Sequence, residues 1–358
     1  MPHLDRTARR RTTAPRALAL ATATLALAAC DLPTAVPQVD QRWIVPPQTT
    51  TIAVASLLPA GVRILPDSSA FTIDLTPAAV SRPLSADCAQ CAAANGTRVP
   101  KPAFTATASV GTPVPADIAS ATLAGGTLDL AVTNNYTFDP LRPSATARGY
   151  LVVTVTNGSV LLGRDSVDGA AVALAPGATL LRSIPLAGAV SGSAPVTVTA
   201  TISSPAGDSV TMDASRTLVA RGTPNNLRVP TASVNVVNRA VLSTSTSDLS
   251  GVDATVTSHL TGGALLLDIV NPFNVGGTLA VVFSGPGISP ISKTVALAPG
   301  TTHPSIVLSQ DELRALFGHV VTVQISGPVN GTAGAIAITP KQAVVVTSRL
   351  DVSLHTGG

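Results

Sequence analysis

The chain has 358 residues and a formal charge of +3; 45% of the residues are hydrophobic, 11% charged and 3% aromatic. So much apolar side chain with so little charge excludes a disordered polyelectrolyte. Three lysines and a single glutamate, Glu312, all but remove the residues that fill the solvent face of helices, and 28 Gly and 29 Pro among many Ser, Thr and Val point to strands and turns.

In chain order, Arg6, Arg9, Arg10, Arg11 and Arg16 precede an uncharged run of 13 residues, 17–29. These are the basic and apolar regions of a secretory signal, and the run is shorter than the roughly 20 residues of a bilayer-spanning helix. It ends in Leu27-Ala28-Ala29-Cys30, which resembles the lipobox of bacterial lipoproteins. The resemblance implies cleavage before Cys30 and acylation of its thiol, hence a membrane-lipid partner at the cell envelope. Arg10-Arg11 lacks the apolar residues that follow a twin-arginine pair, and Asp31 resembles an inner-membrane retention signal that only some bacteria obey. The leader 1–29 holds five Arg and one Asp, a charge of +4, so the remaining 329 residues carry −1. No basic surface is expected, and no nucleic-acid partner.

Residues 30–40, with Pro33 and Pro37, read as an extended tether. Residues 41–96 contain strand-like stretches at 50–57 and 71–75 and the only tryptophan, Trp43; they are expected to pack on the next unit or supply strands to it. Within them, Cys88 and Cys91 form a C-x-x-C. In an exported chain this spacing is expected as a local disulfide. Ala92 replaces the histidine of a haem-attachment motif, and zinc lacks further ligands nearby.

Beyond residue 96 the chain repeats itself. Leu123-Ala124-Gly125-Gly126-Thr127-Leu128 returns as Leu260-Thr261-Gly262-Gly263-Ala264-Leu265, an offset of 137 that also maps Asn134 on Asn271 and Tyr136 on Phe273. Val172-Ala173-Leu174-Ala175-Pro176-Gly177 returns unchanged 123 residues later, and Asn95 with Arg98-Val99-Pro100 matches Asn225 with Arg228-Val229-Pro230. These registers give two copies, 97–224 and 225–358; the first carries 14 extra residues, expected as a loop over 137–148.

Inside each copy the hydrophobic period is two. Leu128, Leu130 and Val132 alternate with Thr127, Asp129 and Ala131, and Val196, Val198, Ala200 and Ile202 alternate with threonines. With turn clusters between such runs, the expected fold class is all-β, as tandem antiparallel immunoglobulin-like β-sandwiches with at most one short helix per repeat. That helix is placed at 309–317, opened by a Ser309/Glu312 capping box and stopped at Gly318. Asn271-Pro272-Phe273, then Gly276-Gly277-Thr278-Leu279 and a later apolar-Pro-Gly-Thr turn, resemble the late-embryogenesis-abundant and water-stress sandwich. The first copy departs from that pattern at Asn135. The resemblance implies a fold and no activity.

Catalytic signals are sparse. His259, His303, His319 and His355 fall at no metal-ligand spacing, and no nucleophile elbow or Walker loop occurs. Asp165 and Asp168-Gly169 lie in a turn without a calcium-loop pattern, and the four N-x-S/T sequences read as turns. Tyr136 and Phe138, near Pro140 in the longer loop, are the aromatic candidates for a partner contact; the match with Phe273 places Tyr136 in the core instead. Neither metal nor cofactor is expected. The composite expectation is a non-enzymatic, lipid-anchored envelope spacer or protein-interaction module, with an envelope protein or glycan as partner; the alternative is a surface adhesin or carbohydrate-binding lipoprotein.

Overall fold

The computed structural model describes residues 38–356. The alternating runs fold as antiparallel strands, burying their apolar face and leaving Thr, Ser and Asp to water, as in Val196–Ser204. In the first sandwich one sheet has the order Val160–Asp168, Tyr150–Asn157, Val196–Ser204, Phe104–Thr112, and the other Thr179–Pro185, Gly125–Asn134, Thr217–Arg228, Ala78–Pro83. The second sandwich repeats this order. One sheet runs Ile288–Leu297, Val275–Gly285, Val320–Gly331, Arg239–Asp248. In the other, Gly300–Thr302 and Ser305–Leu308 pair with Leu260–Asn271, which pairs with Ala343–Thr356.

The edge strands that complete the two sandwiches come from different places. In the first it is Ala78–Pro83, a short way upstream of Phe104–Thr112. In the second, Val39–Ile44 and Gln48–Ala53 pair with the C-terminal strand Ala343–Thr356. The first sandwich is therefore threaded between Gln48–Ala53 and Arg239–Asp248, the second and third strands of the other. Arg42 anchors this closure by a two-pronged contact with Asp351, and Trp43 stacks on Phe317 with ring centroids 5.9 Å apart. A small sheet then joins the two bodies, Gly188–Val190, Ile118–Leu123, Ala232–Val234 and Ile336–Ile338 in order, with the Arg239–Asp117 ion pair beside it.

The repeated asparagines are buried fasteners. Asn134 Nδ2 donates to the carbonyls of Phe138 (2.9 Å) and Leu174 (2.7 Å), while its Oδ1 accepts from the Tyr136 amide (2.9 Å). Asn271 does the same with Val275 (2.9 Å), Ala298 (3.0 Å) and the Phe273 amide (3.0 Å). Each satisfies three backbone groups at a strand end where the ladder stops.

The capping box is present, with Ser309 as N-cap of Gln310–Leu316 and Gly318 at φ +81°. The expectation of at most one short helix per repeat is corrected by a second short helix in the second copy, Ala254–Ser258. It forms because Asp253 accepts the Thr255 amide and caps the turn. The extra length of the first copy lies in the strand-free stretch 135–149. There Asp139 accepts the amides of Leu141 and Arg142 with one oxygen and that of Leu174 with the other.

Candidate functional site

Cys30 and the leader lie outside the described residues. Cys88 and Cys91 are joined as a disulfide with Cα atoms 5.1 Å apart. Cys88 is the N-cap of Ala89–Ala93 and its sulfur accepts the Cys91 amide at 3.1 Å. Both are buried, at 4% and 0% exposure, so the bond is shielded from attacking thiolates.

The histidines are dispersed, and two take surface partners: His303 with Asp268 at 2.6 Å and His355 with Asp40 at 2.7 Å. Among the described residues no group of three or more His, Cys, Asp or Glu is placed to hold a metal ion. Asp165 pairs with Arg182 at 2.7 Å, the hydrogen bond that pulls its carboxyl below the ordinary range, and Asp168 caps the Ala170 amide.

Tyr136 and Phe138 are not a partner surface. They are 1% and 4% exposed, stack on each other at 5.4 Å and meet Phe104 edge-on. The loop folds inward and lays the Phe138 ring 5.2 Å from the Nζ of Lys101, a buried lysine that the sequence did not single out. Its Nζ donates to the carbonyls of Pro102 (2.8 Å) and Pro205 (2.5 Å) and lies 4.7 Å from the Phe104 ring centre. Burial lowers its pKa to about 8. The Tyr136 hydroxyl is buried without a hydrogen-bond partner, and burial raises its pKa.

The more open chemistry is on the outer face of the sheet that contains Gly125–Asn134. Strand register sets Arg221 and Leu181 on either side of Ala131, and Thr223 and Ser183 on either side of Asp129. The small Ala131 side chain floors a depression of about 490 Å³ between them. Asp129 Oδ1 accepts from Ser183 (2.7 Å) and Thr127 (3.2 Å), and its Oδ2 from Asn225 (3.2 Å). These bonds, Ser183 foremost, hold its carboxyl below the ordinary range. Leu181 is 73% exposed, too much for a packing role. A neighbouring groove of about 730 Å³ lies against the Arg63–Asp74 pair (2.7 Å), Asn225 and Arg228.

No family model and no curated protein matches the chain. Among solved structures, a provisionally assigned secreted protein from Parabacteroides distasonis ATCC 8503 is 11% identical, covering 89% of this chain and 100% of its own, with a TM-score of 0.33. A chain of the naturally empty cowpea mosaic virus particle is 12% identical, over 82% of this chain and 94% of its own, with a TM-score of 0.24. Likeness at this level assigns neither family nor activity. The all-β, multi-sheet architecture stands on the strands themselves, and no helix among the described residues is long and apolar enough to cross a membrane.

Proposed function

We propose that this chain is a lipoprotein of the bacterial envelope, exported, acylated on Cys30 and acting as a stiff, non-enzymatic spacer and interaction module. The leader and the Leu27-Ala28-Ala29-Cys30 sequence motivate the anchor. One structural observation carries the spacer reading: Val39–Ile44 and Gln48–Ala53 are laid against Ala343–Thr356 in the second sandwich, and a four-stranded sheet ties this body to the first. A hinge between the bodies would have to break that small sheet. The tether between Cys30 and the first strand spans residues 31–38, which reach no further than about 30 Å when extended. The second sandwich would then be held close to the bilayer, with the first beyond it.

The test is metabolic labelling with palmitate in the native host. Label is expected on the wild-type chain and lost in Cys30→Ala, which leaves the membrane fraction. A soluble, unlabelled wild-type product overturns the anchor. Small-angle scattering tests the spacer: a single rigid shape is expected, and a broad distribution of inter-body distances overturns it.

A further inference from the structure

We infer that the depression around Ala131 binds an acidic saccharide, Arg221 taking the sugar carboxylate while Asp129, Ser183 and Thr223 take neighbouring hydroxyls. The inference goes beyond the envelope reading and does not depend on acylation of Cys30. Arg82, Arg182 and Arg216 of the same sandwich each pair with an aspartate, at 2.7, 2.7 and 2.9 Å. Like Arg98 and Arg164, Arg221 has no hydrogen-bond or ion-pair partner among the described residues, but it lines the depression together with Asp129. An unpaired, planar, bidentate donor beside a concavity is complementary to a carboxylate.

Asp129 supplies the second half of the argument. An exposed carboxylate is satisfied by water, yet here Thr127, Ser183 and Asn225 fix both oxygens from three different strands. Ordering those side chains costs entropy and contributes little at an exposed position. What the arrangement does achieve is to hold in place, on the wall of the depression, an ionised carboxylate that has about four acceptor sites and fills three of them. Arg221 and Asp129 stand diagonally on adjacent strands, about 7–8 Å apart at the backbone, a span that one uronic acid ring covers between its carboxylate and its ring hydroxyls. Leu181, opposite Arg221 across Ala131, gives an apolar wall for the C–H face of such a ring.

The fold alone does not produce this constellation. The 137-residue offset places Leu266 where the first copy has Asp129, and Asp268, bound to His303, where it has Ala131. The corresponding strand of the second sandwich therefore has Asp268, already paired with His303, in place of the Ala131 floor, and no carboxylate at the position of Asp129.

The test uses the full chain in detergent micelles, titrated calorimetrically with tetramers of glucuronate, galacturonate and mannuronate and with a neutral glucose tetramer. Saturable binding of at least one uronate is expected, weakening with salt and at least about tenfold tighter than the neutral tetramer. Arg221→Ala and Asp129→Ala should each lose about tenfold or more. Arg349→Ala, an exposed guanidinium on the corresponding sheet of the second sandwich, should bind as wild type. Leu181→Glu alters only exposed atoms and should abolish uronate binding by like-charge repulsion, so a misfolded Asp129 variant cannot obscure the result. No saturable binding to any uronate, equal binding of the neutral tetramer, or wild-type affinity in Arg221→Ala overturns the inference. Palmitate labelling is read separately, so failure of the anchor and failure of the saccharide site are distinguishable.

Discussion

The two sandwiches have one strand order and two ways of being closed. The first is completed locally by Ala78–Pro83, followed at once by the helices Leu84–Asp87 and Ala89–Ala93 and their disulfide. The second waits for strands from the opposite end of the chain: Val39 pairs with Thr356 and Ala53 with Ala343. A duplicated sequence can thus preserve every internal register and still differ in how it nucleates, because closing a loop of about 300 residues delays the pairing that rewards it. The second body cannot be complete until Ala343–Thr356 is available to pair.

The largest test of this contrast is deletion of residues 38–53. Six residue pairs in each of two ladders and the buried Ile52 are lost, about 5 kcal/mol or more, comparable to the stability of a whole domain. Amide exchange should become fast in Leu350 and Val352 and stay slow in Leu151 and Val153 of the first sandwich. Retained protection in the second would show the terminal strands to be dispensable. The asparagine fasteners should then behave alike in both bodies. Asn134→Ala and Asn271→Ala each orphan two carbonyls and an amide, costing about 3 kcal/mol in denaturant unfolding, and a clear inequality would mean that only one copy depends on its strand-end lock.

Much of this was legible in the residues. Alternation at Leu128, Leu130 and Val132 told which face is core, and it also put Asp129 outward. The repeat flagged Asn134 and Asn271 before their hydrogen bonds were known. What periodicity cannot carry is which distant strand lies alongside. Ser183 and Asn225 reach Asp129 from 54 and 96 residues away, and Arg42 reaches Asp351 across 309. Lys101 was hidden for the opposite reason. A lysine between Pro100 and Pro102 reads as surface, and its burial follows only from the inward fold of the loop carrying Phe138. The same loop misled about Phe138, since a long loop with aromatics suggests a partner while here it completes a core.

That lysine separates the two bodies by pH. Burial holds Lys101 at about 8 against an ordinary 10.5, so the folded protein binds this proton less tightly than the unfolded chain. The penalty is in full force below pH 8 and is relieved as pH rises toward 10.5. Stability of the first sandwich should therefore climb between pH 8 and 10, by about 2 kcal/mol, while the second shows no such slope. Above pH 10 the trend should reverse, because the raised pKa of Tyr136 makes its neutral form a folded-state preference that is lost as the unfolded phenol ionises. Lys101→Met should flatten the climb; a slope that survives would place its origin elsewhere.

The smallest expected effect belongs to the second body alone. Ser309 and Glu312 close a reciprocal capping box, Ser309 Oγ accepting the Glu312 amide at 3.2 Å and Glu312 Oε2 accepting the Ser309 amide at 2.8 Å. Glu312 also reaches Lys293 at 2.6 Å, the contact that does most to lower its pKa, and so pins the helix to Ile288–Leu297. Behind the cap, Leu313 and Leu316 are buried and Phe317 stacks on Trp43 of the terminal strand. Ser309→Ala should cost about 1 kcal/mol. Its more telling readout is the fluorescence of Trp43, the only tryptophan: loosening the helix should redden its emission before global unfolding. If emission and global unfolding move together, the helix and the N-terminal closure are one cooperative unit, and the second sandwich is sealed at both termini by the same side chains.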